Sequence, residues 1–312
     1  MVNCSISTPF AEDFVRGLSP VMMGFLIFLL VMSLSTCALF MEMWVYLSRK
    51  ISCTHVKDRC LMVLSLFPVV GIAAQLGLIV PRSAMLADLL SSAYTGMALF
   101  AFFHLTVAYL GGETEMLEKL QSVECTLHVG PCCCCCFCLP TTLMDRRAYS
   151  IFRKCVSQTV VLIPILTFII AVLWADGKYF QEKVDIYSPV FYLRILMTIS
   201  TLLSLYAFNV MVKTSLCVAD RRYHLMAKYH VILVAVIINS LQPLIFELLT
   251  SYDVIPCTEM FNWQGRASEF NNMAKVLEAF ILMLTARVYY RKPYPLVDTE
   301  LLAFDNSLLF IQ

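Results

Sequence analysis

The chain reads as long apolar stretches separated by short polar ones, and each apolar stretch is long enough to cross a bilayer. A window of about 20 residues finds seven, at residues 20–47, 61–80, 89–110, 156–174, 190–212, 231–250 and 273–290. A backbone in hydrocarbon must satisfy its amides within a helix or a closed barrel, and the short alternating segments of a barrel are missing. The pattern therefore predicts an all-α integral membrane protein with seven transmembrane helices. Residues 1–19 form a short N-terminal segment, 20–292 the membrane domain with one long loop at 111–155, and 293–312 a tail. From Val21 to Met41 there is no charge, and no small-residue cleavage pattern follows, so the first span reads as a retained signal anchor.

Composition agrees. Hydrophobic residues make up 60% of the chain and charged residues 14%, too little polar surface to wrap a soluble core of this length. The net charge of +1 gives no electrostatic reason to expect a nucleic-acid partner.

Seven crossings put the termini on opposite sides. With the amino terminus outside, the inner segments carry about twice the Lys and Arg of the outer ones, as the positive-inside rule requires. The expected topology is therefore amino terminus outside and carboxy terminus cytoplasmic. The sequon Asn3-Cys4-Ser5 then lies outside and offers Asn3 for N-glycosylation. Cys4 and Cys257 fall on the same side and are able to pair.

The long loop carries Cys132, Cys133, Cys134, Cys135, Cys136 and Cys138, interrupted only by Phe137. Adjacent cysteines make strained disulfides, and a zinc site wants spaced pairs with a second pair further on, which is missing. Reduced thiols beside a membrane suit reversible S-palmitoylation. Several acyl chains, at about 0.8 kcal/mol per buried CH₂, would hold the loop to the membrane.

Polar groups inside spans are costly and mark candidate function. The sixth span has Asn239, Gln242, Pro243 and Glu247 at spacings that suggest one face, with Pro243 freeing the carbonyl of Asn239. The seventh has Glu278 near its outer end and Thr285 along the same stripe. These six residues are the candidate solute pathway. Arg194, Lys275 and Arg287, near span ends, are candidate anion contacts. Gln75, His104 and Asn209 read as interhelical hydrogen-bonding residues, and Glu42 as an ion-pair or interface residue. His104 is the one histidine inside a span and HExxH is missing, so neither a metal nor another cofactor is expected and an enzyme is disfavoured.

Two further readings compete. A seven-helix receptor of the rhodopsin type would end its third helix in an acidic-Arg-aromatic triplet, where this chain has Leu110-Gly111-Gly112-Glu113. Its last helix would hold Asn-Pro-x-x-Tyr, where this chain has Ala286-Arg287-Val288-Tyr289-Tyr290. A non-transporting trafficking or organising protein would use tail patterns such as Tyr294-Pro295-Leu296-Val297 and Asp298 followed by Leu301-Leu302, which also suggest endosomal trafficking.

Several short patterns occur in order along the membrane region. They are Glu42 with Tyr46-Leu47-Ser48-Arg49-Lys50, Pro81-Arg82, Gly111-Gly112-Glu113, Gly130-Pro131 with the cysteine block, Leu241-Gln242-Pro243 with Phe246, Leu277-Glu278-Ala279-Phe280, and Tyr289-Tyr290-Arg291-Lys292. On these the chain resembles the organic solute transporter alpha family, within the broader group that includes the transmembrane protein 184 relatives. The resemblance implies a facilitative plasma-membrane carrier of bile acids, conjugated steroids and similar amphipathic organic anions, using neither ATP nor a coupled ion. It also implies a separate single-pass beta subunit, with membrane lipids as further partners; a homo-oligomer is left open. A groove lined by spans five to seven, entered sideways from a leaflet, would carry the solute, with Glu278 protonated by burial or paired with Lys275.

Overall fold

The computed structural model describes residues 9–121, 123–125, 127, 142–176, 189–252, 254–256 and 261–292. Among these are ten helices: α1 Ala11–Gly17, α2 Pro20–Lys50, α3 Thr54–Leu64, α4 Leu66–Ile79, α5 Ala84–Tyr109, α6 Glu113–Leu120, α7 Arg146–Ala175, α8 Pro189–Leu216, α9 Leu225–Ser251 and α10 Trp263–Tyr290. Two strands of two residues each, β1 Glu124–Cys125 and β2 Thr142–Leu143, pair antiparallel and close the base of the loop between α6 and α7.

Among the described residues, six helical stretches are long and apolar enough to cross a membrane: Pro20–Lys50, Thr54–Ile79, Pro81–Tyr109, Arg146–Ala175, Pro189–Leu216 and Leu225–Phe246. The chain is a multi-pass helical membrane protein. At 28 residues α10 matches these in length, but Arg266, Glu269, Lys275, Glu278 and Arg287 lie along it. It begins at Trp263 and not at residue 273, because those charged residues conceal its first half from a hydropathy window. They do not stop the helix: Asn262 caps it, Oδ1 accepting from the Gly265 N–H at 2.8 Å, and Arg266 answers Glu269 one turn on at 2.5 Å.

Local chemistry fixes the other boundaries. Ser19 accepts from the Met22 N–H and Pro20 opens α2, while Arg49 and Lys50 close it where the helix dipole favours cations. Pro68 cannot donate to the Leu64 carbonyl, and the second span accordingly breaks between α3 and α4 at Ser65. Gly111 and Gly112 take φ of 96° and 97°, which side chains resist, and turn the chain from α5 into α6. The single turn Pro81–Ser83 leads directly into α5, so this span starts before residue 89 and includes Asp88. The short helix α1 was not expected in the N-terminal segment. Its Phe14 is buried edge-on against Phe261, ring centres 5.4 Å apart, just ahead of α10.

In the bundle α10 packs against α9, α4 and α2, whereas α7 packs against α8 and α5. The larger core fills the end where α2 and α10 finish, around Met43, Leu47, Phe102, Phe103, Phe208 and Tyr290. A smaller one, with Phe14, Leu29, Leu78, Phe261 and Val276, joins α1, α2, α4 and α10 at the other end. Large apolar side chains such as Val21, Leu34, Phe168 and Leu248 point outward, as they would toward lipid.

Candidate functional site

A cavity of about 500 Å³ lies between α5, α7, α8, α9 and the first half of α10. Its exposed lining residues are Arg194, Thr198 and Lys213 on α8 and Ile237, Leu241 and Leu244 on α9. The cavity therefore opens sideways, along a seam where α8 and α9 touch sparsely. Its inner wall is the side of α5 that carries Asp88, Thr95 and Gly96, with Glu269, Asn271 and Lys275 from α10 beside it.

The polar part of this wall is built across a long sequence separation. Lys275, 2% exposed, donates from Nζ to Asp88 Oδ1 at 2.8 Å, and Asn271 Nδ2 lies 3.5 Å from the same oxygen. Three buried acceptors on the cavity lining, Asn239 Oδ1, Glu269 Oε1 and Asn271 Oδ1, have no hydrogen-bond partner among the described residues. Unmet buried acceptors are costly in a low-dielectric interior unless something donates to them. Arg194 and Lys213 add positive charge to the lining, and apolar side chains such as Leu89, Leu99 and Leu205 fill the rest. The arrangement can hold an amphiphile with its ring or chain against the aliphatic wall and its polar end toward α10.

Of the residues singled out by sequence, Asn239, Pro243, Arg194 and Lys275 line this cavity. Lys275 is not near a span end: α10 starts so early that the ammonium lies near the middle of the helix. It pairs with Asp88, not with Glu278. Gln242 and Glu278 lie outside the cavity lining, side by side between α9 and α10. The single polar face expected on α9 is thus divided, Asn239 and Pro243 facing the cavity and Gln242 facing α10. Thr285 bonds back to the Ile281 carbonyl of its own helix at 2.9 Å.

Arg287 belongs to a different site. It grips Glu42 through Nε at 2.8 Å and Nη2 at 3.0 Å, while Arg291 reaches the same carboxylate. The Tyr46 hydroxyl donates to the Arg291 carbonyl at 2.9 Å, completing a clamp between the ends of α2 and α10. Asn209 accepts from the Tyr229 hydroxyl at 3.0 Å, an interhelical bond on the cavity lining. His104 packs between Phe100 and Phe103, and Gln75 Oε1 is buried without a partner among the described residues.

Asp88, Glu269 and Asn271 were not foreseen. The signal for Asp88 was there to read: a lone carboxylate one turn into an apolar helix is costly unless a cation meets it. The Glu247 side chain, Asn3, Cys4, Cys257, the cysteines at 132–136 and 138, and the tail lie outside the described residues. Among the described residues, no group of His, Cys, Asp and Glu side chains is arranged to hold a metal ion.

Comparison with known proteins agrees with the motif pattern. The organic solute transporter Ostalpha family matches residues 25–294. An organic solute transporter subunit alpha of Leucoraja erinaceus is 31% identical over 93% of this chain and 82% of its own length. The protein of that name in Homo sapiens is 28% identical, over 93% of this chain and 85% of its own. A transmembrane protein 184 homolog of Dictyostelium discoideum is 22% identical over 73% of this chain and 44% of its own. No solved structure matches. With nearly all of its membrane region covered by the match, the chain belongs to the organic solute transporter Ostalpha family.

Proposed function

We propose that this protein is a facilitative, uncoupled plasma-membrane carrier of amphipathic organic solutes, with bile acids, conjugated steroids and related lipophilic anions as its substrate class. The observation that carries the reading is the sideways-opening cavity of about 500 Å³, apolar over most of its wall and with Arg194, Lys213 and Lys275 among its lining residues. Its size falls in the range of about 300–1,000 Å³ typical of small-molecule sites. A solute already dissolved in a leaflet reaches such a seam without leaving the membrane, and its anionic end meets positive charge there. The family's name, organic solute transporter, agrees.

On this reading all seven long helical segments cross the bilayer, α10 included, with the amino terminus outside. The polar residues of α10 are tolerated because they face the cavity or a partner side chain and not lipid. Relatives are named as alpha subunits, which supports a partner chain, here a single-pass beta subunit. The loop bearing the cysteine block is tied to α8 on the near side of the block. The Tyr206 hydroxyl donates to the Leu127 carbonyl at 3.1 Å, and Cys125 Sγ lies 3.1 Å from Thr214 Oγ1. Acyl chains on Cys132, Cys133, Cys134, Cys135, Cys136 and Cys138 would then enter the bilayer beside one side of the seam.

Uptake of a labelled steroid sulfate into cells expressing the chain, with and without a single-span partner, tests the proposal. Saturable uptake that persists without ATP or a sodium gradient, and that runs in either direction with the solute gradient, is the expected result. Absence of flux with every partner, or strict dependence on a coupled ion, overturns it.

A further inference from the structure

The ion pair in the cavity wall is asymmetric. Lys275 is enclosed, its side chain 2% accessible, whereas that of Asp88 is 31% accessible and both line the cavity. Asp88 thus meets more of the open space than the ammonium does, and its carboxylate is the freer member of the pair.

Resting on the transport reading above, we propose that Asp88 is a resident counter-ion, exchanged at Lys275 for the anionic group of the solute. A lysine left alone at this depth is costly, so the empty carrier keeps it neutralised. When an organic anion enters, one charge-assisted hydrogen bond replaces another and Asp88 swings into the cavity, whose lining also holds Arg194. The exchange is close to neutral in free energy. That keeps binding shallow and release fast in both directions, as a carrier with no energy source requires. Asn271, which shares the Asp88 oxygen, and Glu269 keep Oδ1 and Oε1 unpaired among the described residues, and so favour a solute that carries a hydroxyl or amide N–H donor near its anionic group.

The test compares binding of a radiolabelled steroid sulfate with that of a neutral glucoside of the same steroid, using purified full-length protein. In the wild type the sulfate binds more tightly than the glucoside. Asp88→Asn removes the competitor, and sulfate affinity rises about tenfold, the value of one hydrogen bond to a charged group, while glucoside affinity stays put. The double variant Asp88→Asn with Lys275→Gln replaces the ion pair by an amide pair of similar shape, so it folds even where the single variant does not. It loses the preference for the sulfate. An unchanged or weakened sulfate affinity in folded Asp88→Asn, or a double variant that still prefers the sulfate, overturns the exchange. A wild-type protein that binds neither ligand overturns the transport reading itself.

Discussion

Two acidic side chains reach α10 from other helices, and the two meetings differ. At one end of the bundle Glu42 is gripped by Arg287 and Arg291, beside a core of aromatic rings in which Phe102, Phe208 and Tyr229 pack ring to ring. There Lys228 is 2% exposed, its ammonium donating to the Tyr109 hydroxyl at 3.0 Å and lying over the rings of Tyr109 and Tyr290. In the cavity half Asp88 meets Lys275 through one bond, next to open volume and acceptors that are unpaired among the described residues. Both regions hold buried polar atoms without a bond among the described residues, Tyr290 Oη and Arg291 Nε in the first. What sets the second apart is that its unpaired acceptors line open volume, which is the condition for binding something else.

Stability measurements break this comparison if the two halves respond alike. Phe208 is wholly buried among Phe102 and Tyr229, so Phe208→Ala should cost about 3–5 kcal/mol and lower the thermal midpoint in detergent steeply. Leu202, on the cavity lining, already faces open space, so Leu202→Ala should cost less than about 1 kcal/mol in the same measurement.

Gly77 probes the boundary between the halves. A Cβ there would stand 2.6 Å from Asn272 Nδ2 and 3.2 Å from the Ala84 Cα. The amide of Asn272 can swing away, but the start of α5 cannot. Gly77→Ala should destabilise by about 1–3 kcal/mol and reduce steroid sulfate uptake by narrowing the cavity that Gly77 lines.

Glu42→Gln sharpens the contrast from the other side. The Glu42 side chain is 38% accessible, and solvent screening discounts the clamp. The expected loss is about 1 kcal/mol in thermal unfolding, with uptake per folded molecule unchanged. A large fall in uptake with normal folding would place Glu42 in the solute path.

The smallest effect on stability, near zero, should come from changing all six clustered cysteines to Ser. Acyl-exchange labelling should fall sharply and uptake should decrease. Undiminished labelling would remove the lipid-anchor reading of the loop.

Hydropathy alone was enough to find the helices that face lipid, because burial in hydrocarbon admits few polar residues. Pro20 and Pro189 start α2 and α8 within a residue of where the apolar runs begin. It failed where a helix meets the cavity. The first half of α10 carries Arg266, Glu269, Asn271 and Asn272, and its polarity is tolerated only because partners and empty volume lie on the other side. Asp88 was lost for a related reason: its lysine lies far along the chain, and no local pattern announces a pair made in space. Gln242 and Glu278 were expected in the solute pathway, and they lie side by side between α9 and α10, outside the cavity lining. Sequence spacing could not show that the cavity lies on the other side of Pro243.

Transport by this route requires the solute to lie in the seam between α8 and α9. Photocrosslinking with a diazirine-bearing steroid sulfate, followed by peptide mapping, tests this directly. Label that excess unlabelled solute competes away should fall on residues 194–205 of α8 and 236–244 of α9. Competable label confined to the outer faces of α2 or α7 would contradict it.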